Sequence, residues 1–216
     1  GYSQLWSVSM NSSGTLTKKQ KLNVSGRILD IQPIGTVSGA YTLMVFYTNS
    51  SGVHIQQFTV DSSGYFTAGT THSPSSTNGY AQAENGKMAW NRAFDRVGIA
   101  WVRASDEKAF VSCAAWSGTA FSWAAGSQLN YPNAVQGNDY GGGVAIACEG
   151  STGKYVCTYQ DSNQSKAVCI DPGTSGQNAN PGTAITIDTG NPDGVFSMCD
   201  NYGVDNTVCW AGWYFW

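Results

Sequence analysis

The sequence predicts an all-β fold in which four similar units build one domain. Three observations lead to this prediction: a recurring turn, a repeated order of short strands, and chain ends that complement each other. The turn is written NSSG at 11–14, DSSG at 61–64 and AWSG at 115–118. Short segments of alternating apolar residues flank each copy, and that period is typical of half-buried strands.

Three complete units follow one another along the chain. In each, two strands joined by a polar turn are followed by a Gly-ended turn, at 40–64, 95–118 and 153–176. One strand pattern precedes each pair and a weaker one follows it, which makes four strands per unit. The predicted units span 27–75, 86–130 and 142–190.

The chain ends supply the fourth unit. Residues 2–22 match the third and fourth strands of a unit, and residues 194–216 match the first and second. Four-stranded units of about 40–50 residues are typical of β-propeller blades. A blade made of 193–216 plus 1–24 would close the ring and leave no exposed sheet edge. We therefore predict one four-bladed β-propeller domain over 1–216. The alternative is a β-sandwich or jelly roll in which the turn recurs by chance.

Composition excludes two classes of partner. Only 12% of the residues are charged and the net charge is −3, with no basic cluster denser than TKKQK at 17–21. Nucleic-acid binding needs a concentrated positive face, so none is predicted. The longest apolar run, YTLMVFY at 41–47, is far shorter than the roughly 20 residues that span a membrane.

Several features predict a secreted protein. The chain begins at Gly1, as a processed product would, and N-x-S/T sequons occur at Asn11, Asn23, Asn49 and Asn163. None of the six cysteines forms a C-x-x-C pair and only two histidines occur, so neither a metal nor any other cofactor is predicted. An even number of cysteines in a turn-rich chain of low charge instead indicates three disulfides formed in an oxidising compartment.

The strand positions of the cysteines suggest their pairing. Cys148 and Cys199 occupy matching first strands, whereas Cys157 and Cys209 occupy second strands. Bridges Cys148–Cys157 and Cys199–Cys209 would each span one hairpin. That pairing leaves Cys113 to bond with Cys169, and the main rival is a Cys157–Cys169 bridge. Six cysteines allow 15 connectivities, so the rival stays open.

Candidate ligand residues cluster in the links between units. The two longest links cover 72–85 and 130–143, and a shorter one covers 190–194. Asn and Asp can bond adjacent sugar hydroxyls, while an aromatic ring stacks on the apolar face of a pyranose. The candidates are Tyr80, Glu84, Asn130, Tyr131, Asp139, Tyr140 and Asp193.

Two tryptophans and an arginine extend this set. Trp116 occupies a turn position where other units have serine, which predicts an exposed ring. Trp90 lies on a first strand beside the predicted central channel, close to Arg92. Trp6 and Trp101 lie within strand patterns and are expected to pack between blades.

These residues predict a secreted, lectin-type protein that binds glycans without catalysis. One alternative is a glycoside hydrolase or another polysaccharide-acting enzyme, with Glu84, Asp139 or Asp193 as acid or base, since glycosidases commonly use two carboxylates. Another is a protein-interaction module, which an exposed apolar patch near Trp116 would favour. Fold alone does not decide among these classes.

Overall fold

The chain folds entirely into antiparallel β-structure over the residues that can be described. A computed structural model describes residues 2–37, 39–74, 83–123, 126–129, 143–161, 164–189, 194–199 and 209–214. Strands occupy most of these ranges, and every pair of neighbouring strands is antiparallel. Within the same ranges, no helix has the length and apolar character needed to cross a bilayer.

Three sheets correspond to the three complete units. The first has the order β3 (Arg27–Val37), β4 (Ala40–Asn49), β5 (Gly52–Val60) and β6 (Phe66–His72). The second has the order β7 (Ala83–Asn91), β8 (Arg96–Arg103), β9 (Ala109–Trp116) and β10 (Phe121–Trp123), and β11 (Ser127–Gln128) also pairs with β9. The third has the order β12 (Val144–Cys148), β13 (Tyr155–Asp161), β14 (Gln164–Asp171) and β15 (Asn180–Pro181), and β16 (Ile185–Asp188) also pairs with β14.

Two-stranded ribbons lie at the chain ends. One contains β1 (Ser3–Met10) and β2 (Leu16–Val24), and the other contains β17 (Gly194–Cys199) and β18 (Cys209–Tyr214). Leu5 and Val24 of the first ribbon pack on the first unit, while β17 packs on β12 of the third unit. The ribbons thus contact the two units between which a fourth blade would lie. No pairing of β18 with β1 occurs among the described strands, so closure of the ring through that pair stays a prediction.

The apolar core lies between the units. One cluster joins the first and second units around Phe46, Ile99 and Trp101, whose side chains are fully buried. Another joins the second and third units around Val111 and Tyr155. The first strands β3, β7, β12 and β17 contact one another in that order. Sheets that pack face to face around their first strands have the arrangement of propeller blades.

The recurring SSG motif forms the same turn in different units. Gly14 and Gly64 have φ values of +82° and +84°, a backbone conformation that favours glycine. The side chain of Asn11 accepts hydrogen bonds from the backbone of Ser13 and Thr15, and Asp61 accepts them from Ser63 and Tyr65. Such side-chain bonds to the backbone two to four residues later stabilise tight turns. The motif therefore recurs because the units turn with the same chemistry.

Candidate functional site

The hairpins β4–β5, β8–β9 and β13–β14 lie at one end of the sheets, where the last strand of each unit ends and the first strand of the next begins. Antiparallel alternation places these turns together, and we call this the long-loop end. Six predicted ligand residues lie outside the described residues, as does the side chain of Glu84. The six are Tyr80, Asn130, Tyr131, Asp139, Tyr140 and Asp193, whose roles in binding or catalysis stay predictions.

A large open cavity occupies the long-loop end between the first ribbon and the first unit. Its volume is about 790 Å³. The lining is mostly hydroxyl, amide and backbone groups, and it consists of Tyr2, Ser3, Ser25, Gly26, Arg27, Thr48, Asn49, Ser50 and Ser51. We call this the outer cavity. Its size falls within the range of small-molecule sites, about 300–1,000 Å³.

The link from β2 to β3 forms one wall of the outer cavity. The backbone N–H of Ser3 donates to the carbonyl of Gly26 over 2.7 Å, and the Ser3 hydroxyl accepts from the N–H of Ile28 over 3.0 Å. A side chain at Gly26 would overlap the carbonyl oxygen of Thr48, so the link approaches β4 only because this residue is glycine. The first ribbon is thereby held against the first unit.

Asn49 organises the opposite wall. Its Nδ2 donates to the carbonyl of Ser25 over 3.1 Å, and its Oδ1 accepts from the backbone and hydroxyl of Ser51. The same oxygen lies 2.9 Å from Nε2 of His54, whose Nδ1 lies 2.7 Å from Oγ of Ser73. Because the amide oxygen can only accept, this contact requires a proton on Nε2 of His54, and Nδ1 of the neutral ring then accepts from the Ser73 hydroxyl. Burial lowers the pKa of His54, which favours this neutral imidazole.

A smaller cavity lies where the first strands begin, and we call it the inner cavity. It has a volume of about 210 Å³, and its lining includes Arg27, Asn85 and Lys87. Arg27 therefore lines both cavities, and its Nη2 donates to the carbonyl of Ala83 over 2.8 Å. The side-chain oxygen of Asn85 is buried and accepts no hydrogen bond from the described part of the chain. The inner cavity thus combines two cationic side chains with an amide oxygen open to a further donor.

Ion pairs hold one aspartate in each of the other two hairpins at this end. In β8–β9, Asp106 accepts from the guanidinium of Arg103 over 2.7 Å and lies 3.7 Å from the ammonium of Lys108. The bond from Arg103 lowers the pKa of Asp106. In β13–β14, Asp161 lies 2.5 Å from Lys166. These acids therefore carry their own counter-charges.

Three predicted ligand residues lie away from both cavities. Trp90 is buried in the core between the first and second units. Arg92 is exposed in the turn after β7, at the end opposite the long-loop end. The exposure predicted for Trp116 is wrong: its indole is 8% exposed and packs on Phe121, with ring centroids 4.6 Å apart. The structure brings Trp90 and Trp116 into one core cluster and leaves Arg92 apart from it.

The structure confirms packing between blades for one of the two tryptophans expected there and not for the other. Trp101 is fully buried between blades, as predicted, and stacks on Phe110 at 5.7 Å. Trp6 is 43% exposed, so its predicted packing between blades is wrong. The ammonium groups of Lys18 and Lys21 lie 5.0 and 5.6 Å from its ring. The described contacts of the Trp6 ring are therefore cation–π contacts within its own ribbon.

The predicted disulfides are wrong for the described cysteines, which are free thiols. Cys148 pairs with Tyr155 and Cys157 with Ile146, so the two cysteines are diagonal neighbours across β12 and β13. Diagonal positions lie about 7–8 Å apart between Cα atoms, beyond the usual reach of a disulfide.

The pairs involving Cys169 fail for a different reason. Cys113 is buried between the second and third units, while Cys169 is exposed on β14. Val156 is the partner of Cys169, so its neighbour Cys157 points to the opposite face of the sheet. The Cys113–Cys169 and Cys157–Cys169 bridges are therefore both excluded. Cys199 and Cys209 are direct partners in β17 and β18, and their bond stays a prediction.

The cavities themselves were missed by sequence reasoning. Ser25, Ser50 and Ser51 are ordinary turn residues in sequence, and Asn49 stands out only as part of a sequon. His54 had no evident partner, although Asn49 and Ser51 lie only five and three residues before it. The spacing N-x-S-x-x-H was the available signal, because a hairpin turn folds its two sides together.

Comparisons with known proteins identify the class of fold. No family model matches the sequence, and no curated protein matches it. A protein from Lactobacillus plantarum, solved by the Northeast Structural Genomics Consortium, is similar over 87% of this chain and 52% of its own, with 11% identity and a TM-score of 0.56. The Dos1 propeller is similar over 90% of this chain and 45% of its own, with 13% identity and a TM-score of 0.52.

A more distant neighbour is the Hadza microbial sialidase Hz136, at 8% identity and a TM-score of 0.44 over 91% of this chain and 39% of its own, too weak a likeness to bear on function. The chain spans about half the length of the first two structures. Together with the sheet order, the likeness confirms the all-β, four-bladed propeller prediction, and the sandwich alternative is wrong.

Proposed function

We propose that this protein is a lectin-type propeller that binds carbohydrate at the long-loop end without catalysis and acts outside the cell. The outer cavity is the observation that carries the proposal. Its lining offers hydroxyl and amide groups beside an aromatic ring, which are the groups that a neutral, hydroxylated ligand requires.

Tyr2 and the serines of the outer cavity are suited to a pyranose. The Tyr2 side chain is 65% exposed, and it lines the cavity with the exposed residues Ser25 and Ser50. A sugar could lay its apolar face on the phenol ring while its hydroxyls bond the serines and nearby backbone. The Asn49 network holds the wall in place, so little ordering is left for the binding step.

A glycan-array screen tests this proposal, followed by titration of the best sugar with variants. Tyr2→Ala is expected to weaken binding about tenfold, in line with loss of one stacking contact. Tyr65→Ala is the matched control, because Tyr65 is 48% exposed in a turn at the opposite end. Tyr80→Ala and Tyr140→Ala test the predicted contribution of the long links. A blank array, or equal binding by all four variants and the wild type, would overturn the proposed site.

A protein-interaction function is the second candidate, and one observation favours it. Trp6, Val8, Met10 and Leu16 are exposed on the face of the first ribbon opposite buried Leu5, with between 43% and 70% of each residue's surface accessible. A row of exposed apolar side chains is typical of an interaction surface. Sedimentation of wild-type protein and Trp6→Ser across a concentration series tests self-association through this face. Glycan binding that Trp6→Ser leaves unchanged would show that the two properties are separate.

A further inference from the structure

Backbone groups fix the orientation of the Asn49 amide beside the β4–β5 hairpin. The backbone N–H of Ser51 donates to Oδ1 of Asn49 over 2.8 Å, and Nδ2 of Asn49 donates to the carbonyl of Ser25 over 3.1 Å. A backbone N–H can only donate and a carbonyl can only accept, so these two bonds settle which end of the amide is oxygen. The amide oxygen of Asn49 therefore faces His54.

This orientation sets the tautomer of His54. Oδ1 of Asn49 lies 2.9 Å from Nε2 of His54, and Oγ of Ser51 lies 3.0 Å from the same nitrogen. The Ser51 hydroxyl already donates to Oδ1 of Asn49 over 2.6 Å, so both oxygens face Nε2 as acceptors. Nε2 therefore carries the proton, and Nδ1 of the neutral ring keeps its lone pair.

The lone pair of Nδ1 faces a serine hydroxyl. Oγ of Ser73 lies 2.7 Å from Nδ1, within the distance at which a general base removes a proton. Ser73 is exposed and follows β6 directly, whereas His54 is only 9% exposed. The His54 ring also stacks on the ring of Tyr47, with centroids 5.0 Å apart. The base is thus held in one orientation, while the serine that it faces stays accessible.

This arrangement is the one that activates a serine. A base accepts the hydroxyl proton on one ring nitrogen, and a third group holds the other nitrogen in place. Burial lowers the pKa of His54, so the ring is neutral and able to accept a proton at pH 7. Ser63, in the turn between β5 and β6, is equally exposed and bonds to no histidine within the described part of the chain.

We propose that Ser73 is a nucleophilic site that accepts acyl groups from activated esters, with His54 as general base and Asn49 as a positioning residue. Oγ of Ser73 attacks the carbonyl carbon of the ester while its proton passes to Nδ1 of His54. The bond from that carbon to the leaving oxygen then breaks, and the leaving group departs with the electron pair. The proton on His54 passes to the leaving group or to water, and the product is an ester of Ser73.

This inference goes beyond the proposed function and does not rest on it. Ser73 does not line the outer cavity, and acyl transfer to its hydroxyl leaves glycosidic bonds intact. Ser73→Ala is therefore expected to bind glycans as the wild type does. A blank glycan array would leave the nucleophilic site standing, and an unreactive Ser73 would leave the lectin proposal standing.

Labelling with a fluorophosphonate locates the nucleophile. The serine oxygen displaces fluoride and forms a phosphonyl ester, which peptide mass spectrometry assigns to a residue. We expect Ser73 to be labelled about a hundredfold faster than Ser63, and His54→Gln to slow labelling of Ser73 by a similar factor. Glutamine keeps polar contacts but cannot take the proton. Ser63→Ala is the matched control, and we expect it to leave labelling of Ser73 unchanged.

The pH dependence of acylation tests the base separately from stability. Release of p-nitrophenolate from p-nitrophenyl acetate is followed between pH 5 and 9, and the rate of Ser73→Ala is subtracted. We expect the remaining rate to rise to a plateau with a midpoint below pH 6.5, because burial lowers the pKa of His54. Asn49→Asp places a carboxylate beside Nε2, and we expect it to move the midpoint up by about one pH unit.

Three results would overturn the inference. The first is labelling of Ser73 no faster than that of Ser63, and the second is a rate that folded His54→Gln leaves unchanged. The third is a rate that rises without a plateau in both the wild type and Asn49→Asp, since an unassisted hydroxyl behaves in that way. If His54→Gln does not fold, the midpoint in Asn49→Asp decides: an upward shift supports His54 as the base, and an unchanged midpoint overturns it.

Discussion

Gly98 of β8 lies directly against the ring of Tyr155 on the neighbouring unit. A Cβ at Gly98 would be 2.9 Å from two ring carbons of Tyr155 and 2.8 Å from the side chain of Ile146. The ring of Tyr155 is fully buried and cannot move into solvent. The distance between the second and third units is therefore set at this glycine.

The first prediction concerns this contact. Gly98→Ala is expected to lower the free energy of unfolding by about 1–3 kcal/mol, the usual cost of overpacking a core. Gly182→Ala is the control, because a Cβ there would meet only the carbonyl oxygen of Cys169, at an ordinary 3.5 Å. Chemical denaturation measures both. Equal stability of the two variants would contradict the close packing of these units.

The second prediction concerns the histidines. Burial lowers the pKa of His54 and of His72 below the ordinary value of 6.5, so the folded protein binds fewer protons than the unfolded chain. Stability is therefore expected to fall as the pH drops below about 6.5, by at most about 1.4 kcal/mol per pH unit for each histidine. Denaturation curves between pH 7.5 and 5 measure the slope. The slope should flatten in His54→Gln combined with His72→Phe, and an unchanged slope would assign it to other groups.

The third prediction concerns Glu149 in the turn between β12 and β13. Burial alone would raise its pKa, but hydrogen bonds from the hydroxyls and amides of Ser151 and Thr152 lower it to about 2. A depressed carboxyl pKa stabilises the fold above about pH 4.5, and this stabilisation is lost as the pH falls toward 2. Glu149→Gln removes this dependence.

The same turn also joins two units, since the backbone carbonyl of Glu149 accepts from Nδ2 of Asn91 over 2.8 Å. Glu149→Gln is therefore expected to cost about 1–3 kcal/mol at pH 7 through poorer acceptors in the turn. Its stability curve should also be flatter than that of the wild type between pH 4.5 and 2. A parallel curve in this range would show that Glu149 titrates normally.

The fourth prediction concerns the thiols. Burial raises the pKa of Cys113 to about 12 and raises that of Cys157 as well, while Cys169 is exposed. Since the thiolate is the reactive form, iodoacetamide is expected to label Cys169 in the folded protein and the buried Cys113, Cys148 and Cys157 only after denaturation. Peptide mass spectrometry reads each site. A peptide pair linked through Cys148 and Cys157 would contradict the observed register.

Features set by short stretches of sequence were predictable. The strand order is predicted by the repeated order of strands and turns, and the turns at 11–14 and 61–64 are predicted by the recurring SSG motif. Features that depend on how distant strands pack together are harder to predict from the sequence. Alternation places Trp6 on one face of β1 but does not say whether another sheet covers that face. In the structure no described side chain of another sheet covers the ring of Trp6, whereas Phe121 of the next strand covers the ring of Trp116. Neither outcome can be predicted from alternation.

The disulfide errors have the same origin. Whether Cys148 stands opposite Cys157 or one step away depends on the strand register, and a diagonal offset removes the bond. The cavities depend on which turns of different strands come together. Ser25 and Asn49 are 24 residues apart, and their hydrogen bond exists because β2 ends beside the β4–β5 hairpin. No short sequence pattern predicts this contact between Ser25 and Asn49.

The described apolar clusters lie between units, so each of these sheets covers its apolar face only by packing on a neighbour. A unit cut from the chain would expose two apolar faces, and the units on either side of it would each lose one. A single four-stranded unit is therefore expected not to fold by itself, because each apolar cluster needs side chains from two neighbouring units.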